Sequence, residues 1–163
     1  MTPSALKGRP QPLVSRAGRY LVIHEESFTG VGISSNVYVT EQDGNYYVFD
    51  ASGHPELLSF IEATGICPDY IAGILLTHGH HDHVMGLKSF FHLGTQVFIS
   101  RKDADLMEST VGKVCAKWLD SPECTAVLES LSLKAIATPG HTPGSTCFYS
   151  AQERLLISGD TVF

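Results

Sequence analysis

The sequence is poor in charge, has no paired cysteines and contains no long apolar run. Charged residues make up 17% of its 163 residues, with 11 Lys plus Arg against 17 Asp plus Glu and a formal net charge of -6. No cluster of five or more basic residues occurs, so the positive surface that nucleic acid requires is missing. Cys67, Cys115, Cys124 and Cys147 are scattered without a Cys-x-x-Cys pair, which argues against a zinc ribbon or a redox pair. All four are expected to be buried small hydrophobes in a reducing compartment. No apolar run reaches the roughly 18 residues that span a bilayer, and the N-terminus lacks the apolar segment of a secretory signal. The expectation is a soluble, cytoplasmic protein with no membrane partner. Nothing acidic precedes Glu25 while Lys7, Arg9, Arg16 and Arg19 are basic, as in organelle transit peptides. Pro3, Pro10 and Pro12 oppose the amphipathic helix such a peptide needs, so residues 1–18 are read as a flexible tail and 19–163 as one domain.

What is present is an ordinary apolar fraction of 43%, enough for a core, and eight histidines. Tyr20 to His24 reads as a strand. Asn36 to Thr40 and Tyr46 to Asp50 read as a hairpin around Asp43-Gly44. Pro55 to Gly65 reads as a helix burying Leu57, Leu58 and Ile61. Ile71 to Leu76 is a continuous apolar run of the kind made by a strand covered on both faces. A short helix over 86–93 and a strand over 95–99 follow. Met107, Val111, Val114 and Trp118 then recur at helical spacing in a segment that Pro122 closes. Residues 131–138 alternate as a half-buried strand, and 146–149 and 155–157 form a further strand pair.

The buried run at 71–76 delivers Thr77-His78-Gly79-His80-His81-Asp82-His83, four imidazoles and a carboxylate in one short connection. Imidazole is the commonest protein ligand for zinc, and carboxylate accompanies it at sites built for chemistry. In a regular strand His83 would point away from His78, His80 and Asp82, so a loop or helix start is required after His78. A solvated cluster of histidines is the plain alternative. Downstream, two Pro-Gly turns bracket His141 in Pro139-Gly-His-Thr-Pro-Gly144, which fixes one imidazole at small entropic cost. Gly159-Asp160 follows the last strand. Asp50, at a strand end, can accept hydrogen bonds from the histidine loop or simply cap its own turn.

Together the His-x-His-x-Asp-His stretch, the lone histidine between Pro-Gly turns and the Gly-Asp after a strand resemble the metallo-β-lactamase superfamily, particularly its glyoxalase II-like branch. The resemblance covers nearly all the chain after the tail. It implies an α/β (α+β) fold, an αββα sandwich of two ββα halves. It also implies His78, His80 and His141 as ligands of one metal, Asp82 and His83 as ligands of a second, and Asp160 as the bridge. His81 has no ligand role in that pattern and is read as a surface or supporting residue, and Asp50 as a residue that orients ligands. Members continue to one further histidine of the second site, so the resemblance implies a C-terminal part beyond Phe163 and an incomplete second half here. The activity implied is hydrolysis of a thioester, ester or related acyl bond of a small-molecule substrate, using water activated by zinc, two ions in the complete protein, with Asp82 orienting that water. A segment lacking its last strands would expose a sheet face and edge, so a homo-oligomer is expected of it alone. The closest rival is a persulfide dioxygenase of the same fold, with one iron on His78, His141 and Asp160. A non-catalytic metal-binding domain or an inactive fragment is the alternative from another class.

Overall fold

The protein is described here by a computed structural model covering residues 10–162. Seven strands form one sheet: β1 (Val14–Ala17), β2 (Tyr20–Ile23), β3 (Val37–Gln42), β4 (Asn45–Phe49), β5 (Ile71–Leu75), β6 (Gln96–Ile99) and β7 (Ala116–Trp118), lying side by side in chain order. The first four pair antiparallel and β4 to β7 pair parallel. The second sheet is antiparallel, ordered β10 (Leu155–Ile157), β9 (Thr146–Ser150), β8 (Lys134–Ala137). The helices are α1 (Leu57–Ala63), α2 (His81–Val84), α3 (Ala104–Val111) and α4 (Pro122–Ser130). None is long and apolar enough to cross a membrane.

The strand period of two explains the layering. Val48, Ile74, Val97 and Ile99 face one apolar cluster with Leu57, Ile61, Met107 and Val111 of the helices. Their neighbours Phe49, Leu75 and Phe98 face a second cluster with Phe148 and Ile157 of the small sheet and Cys124 and Leu128 of α4. The large sheet is therefore covered on both sides, as the run at 71–76 requires. Phe148 meets Phe49 edge-on across the two sheets with ring centroids 5.2 Å apart, and Tyr20 of the large sheet packs on the same Phe49 ring at 6.0 Å.

Three expectations need correction. Residues 10–18 are not all tail: β1 pairs with β2 from Val14↔Ile23 to Ala17↔Tyr20, an exposed edge strand too polar to show alternation. The remainder of that tail, 1–9, lies outside the described residues. The helix read through Trp118 ends at Val111, because Gly112 takes φ +85°. Val114 and Trp118 reach the same core from the sheet edge, and Pro122 opens α4 rather than closing α3, with Ser121 Oγ accepting from Cys124 N at 3.2 Å. Cys67 and Cys115 are exposed, and only Cys124 and Cys147 are buried. The segment after Met85 is a 3-10 helix, Met85–Phe90.

Candidate metal centre

The candidate site is built from connections that follow strands of both sheets. Asp50 directly follows β4, and Thr77-His78 follow β5 after Leu76; α2 then carries Asp82 and His83, with His80 just before its first turn. The chain leaves strand geometry after Leu75, earlier than the spacing of the histidines requires, and His83 on α2 turns back beneath His78, with ring centroids 4.1 Å apart. From the small sheet, the loop between β8 and β9 supplies His141, and the 3-10 turn Gly159–Thr161 after β10 supplies Asp160. Gly159 is at φ +50°, and a Cβ there would strike the Thr77 side chain, so glycine lets this turn close against β5.

Two donor groups result, sharing His78: His78 with His80 and His141, and His78 with His83 and Asp160. Within each, one ligand atom per residue lies within 4.8 Å of the others. His80 Nδ1 and His141 Nε2 are 2.9 Å apart, and His141 Nε2 is 3.3 Å from Asp160 Oδ2. Asp82 stands beside them, its Oδ2 3.7 Å from His83 Nε2. His81 is exposed, with its ring turned to Asp82 at 3.7 Å.

The hydrogen bonds behind these side chains settle which nitrogens face the cleft. Asp50 is 2% exposed and accepts from Thr77 N at 2.8 Å, from Thr77 Oγ1 at 2.8 and 3.0 Å, and from His83 Nδ1 at 2.8 Å. The Thr77 hydroxyl spends its one hydrogen on Asp50, so toward His78 Nδ1, 3.1 Å away, it accepts. His78 therefore carries its hydrogen on Nδ1. Its Nε2 is left with a bare lone pair, buried and without a hydrogen-bond partner. An unsatisfied buried acceptor beside two further imidazoles is what a divalent cation completes. Burial, helped by the charge of His83, lowers His78 to about 4 against the opposing pull of Asp50 and Asp160, so its ring is neutral at physiological pH and free to ligate. Burial also acts to lower His83, but the charge and hydrogen bond of Asp50, then Asp82 and Asp160, outweigh it and push His83 up to about 9. Its surroundings thus favour positive charge, whether a proton or a metal ion.

Two features were not legible as site residues. Thr77 sets the His78 tautomer. Asp103, fully buried at the start of α3, accepts from Gly79 N at 3.0 Å, Gly144 N at 2.8 Å and Thr142 Oγ1 at 2.7 Å. The site opens into a cleft lined by Ser34, Ser35, Asn36 and Tyr38 opposite Asp82, His83 and Asp160.

The sequence pattern of the metallo-beta-lactamase superfamily matches residues 30–163. The chain belongs to this superfamily. Among relatives it is 30% identical over 120 residues to a hydroxyacylglutathione hydrolase of Bartonella quintana, covering 70% of this chain and 46% of that protein. In fold it is similar to TTHA1623, crystallised in a di-iron-bound form, with a TM-score of 0.65, 22% identity and coverage of 94% of this chain and 73% of the other. It is also similar to the metallo-beta-lactamase SMB-1 in a complex with mercaptoacetic acid, with a TM-score of 0.64, 20% identity and coverage of 90% and 62%. The chain thus spans about half the length of the hydroxyacylglutathione hydrolase it matches. The metallo-β-lactamase fold, an α/β class, agrees with the mixed sheet and its helical cover.

Proposed function

We propose that the complete protein is a metal-dependent hydrolase of thioester, ester or related acyl bonds, with His78, His80 and His141 holding one ion and His83, Asp160 and Asp82 a second. The observation that carries this reading is the buried, unpartnered Nε2 of His78, the residue common to both donor groups. Zinc is the ion we assign, since neutral imidazole and carboxylate suit it. A bound ion supplies Lewis-acid chemistry, making water a nucleophile near neutral pH and polarising an acyl carbonyl. The chain's own residues do the rest. Asp82, half-buried at the cleft, accepts a hydrogen bond from the attacking water and so orients it. Asp50 and Thr77 hold His83 and His78 in ligating tautomers. Ser34 to Asn36 and Tyr38 form the opposite wall against which an acyl substrate lies.

The test is turnover of an acyl-thioester panel by the zinc-loaded protein and by His78→Ala. Zinc-dependent hydrolysis that H78A abolishes supports the reading; no turnover, or turnover that H78A leaves intact, overturns it. A second reading rests on the 3.3 Å approach of His141 to Asp160, which with His78 would offer two histidines and a carboxylate to one iron for oxygen chemistry on a persulfide. Oxygen uptake with glutathione persulfide and co-purifying iron would decide for it.

A further inference from the structure

We infer that Asp103 is a positioning residue that sets the distance between the two loops supplying the first metal site, and through it the affinity for the ion. The inference deepens the reading above and rests on it. His78 and His80 come from the loop after β5, and His141 from the loop between β8 and β9, in different sheets and 61 residues apart for His80 and His141. Asp103 accepts from both loops. Its Oδ2 takes Gly79 N, the amide between the two histidines of the first loop, at 3.0 Å, together with Thr142 Oγ1, next to His141, at 2.7 Å. Its Oδ1 takes Gly144 N, in the Pro-Gly turn that closes the second loop, at 2.8 Å.

The position makes this informative. Asp103 is the N-cap residue of α3, where an aspartate ordinarily accepts from its own helix, yet it makes no such bond. The side chain forgoes its local partner and serves two remote loops from a site with no solvent exposure. Thr142 is held to this role from the other side, since its hydroxyl also meets Ser145 Oγ at 2.8 Å. The nearby link from Thr146 N to Thr77 O, at 2.9 Å, fixes the strand ends but not the loops that bear His80 and His141. All three groups facing the carboxylate are donors, and an Asn side chain has one acceptor only, so D103N must turn its amide hydrogens toward an N–H of one loop.

The experiment is zinc titration of the full chain against a chromophoric chelator, for wild type, Asp103→Asn and Thr142→Val. Circular dichroism establishes folding, and the visible spectrum of the cobalt(II) form reports coordination. D103N is expected to fold, to bind zinc about tenfold or more weakly, and to alter the cobalt spectrum; T142V, losing one donor of three, falls between. A folded D103N with zinc affinity within about twofold of wild type overturns the inference. Where D103N does not fold, T142V decides: about threefold weaker binding or more supports it, and anything less overturns it. Wild type that binds zinc but hydrolyses no acyl bond refutes the hydrolase and leaves the Asp103 result standing. Wild type that binds no zinc refutes both.

Discussion

Exchanging Asp50 for Asn leaves every candidate ligand in place and changes only what the buried end of β4 can accept. Asp50 takes three incoming donors, two from Thr77 and one from His83 Nδ1. Asn matches its shape and tolerates its φ of +60°, but it has a single acceptor. With that acceptor on Thr77 N, the amide hydrogens face His83 Nδ1. His83 must then move its hydrogen to Nε2, the atom 3.0 Å from Asp160, and a protonated Nε2 does not ligate. In the metal-stripped protein the size of the effect follows from His83. Burial would lower its pKa, yet the carboxylates, Asp50 foremost, raise it from 6.5 to about 9. At about 1.4 kcal/mol per unit this is roughly 3 kcal/mol of stability. A pKa raised on folding stabilises fully below the unfolded value, and the contribution is lost as pH rises through the folded one. D50N should therefore cost about 2–3 kcal/mol near pH 6, and the deficit should shrink above about pH 9. Urea unfolding of chelator-treated wild type and D50N at the two pH values measures this, and zinc titration at neutral pH should show a loss of about 10–100-fold. A deficit equal at both pH values, or unchanged zinc affinity, refutes the reasoning.

Zinc at about a hundred times its dissociation constant should add close to 2.7 kcal/mol of stability and raise Tm by about 5–10 °C; H78A should lose that shift, as differential scanning calorimetry with and without chelator will show. Thiol labelling of the native protein near pH 7.5 should modify Cys67 and Cys115, which are exposed, and spare Cys124. Burial, aided by the charge of Asp120, pushes the Cys124 thiol up to about 12, so mass spectrometry should find it labelled only after unfolding.

The residues that the sequence makes readable are those whose role depends on local spacing. The hairpin of β3 and β4 follows from Asp43-Gly44 between alternating strands, and the burial of β5 from an unbroken apolar run. His78, His80 and His83 stand close in the chain, and their spacing requires the non-strand connection and helix start that α2 provides before His83. Features resting on contacts distant in sequence were not readable. β1 has no alternation because neither face is buried. Val114 and Trp118 keep a helical spacing with Met107 and Val111 by coincidence, since they reach the same core from the connection after α3 and from β7 respectively. Asp103 looks like any helix-capping aspartate, because nothing local shows that its partners are Gly79, Thr142 and Gly144.

His78, His80, Asp82 and His83 arrive together on one loop, but neither donor group is complete without a residue from the small sheet: His141 in one, Asp160 in the other. The candidate metal centre is therefore assembled by the docking of one sheet on the other, through Phe148 against Phe49 and through the buried side chains behind the candidate ligands. Asp50 and Asp103 divide that work. Asp50 acts within the large sheet and sets which nitrogens of His78 and His83 point outward, one directly and one through Thr77. Asp103 acts between the sheets and sets how far His141 lies from His80. Loss of the first should therefore change the protonation of a ligand at nearly unchanged geometry, and loss of the second should change geometry at unchanged protonation.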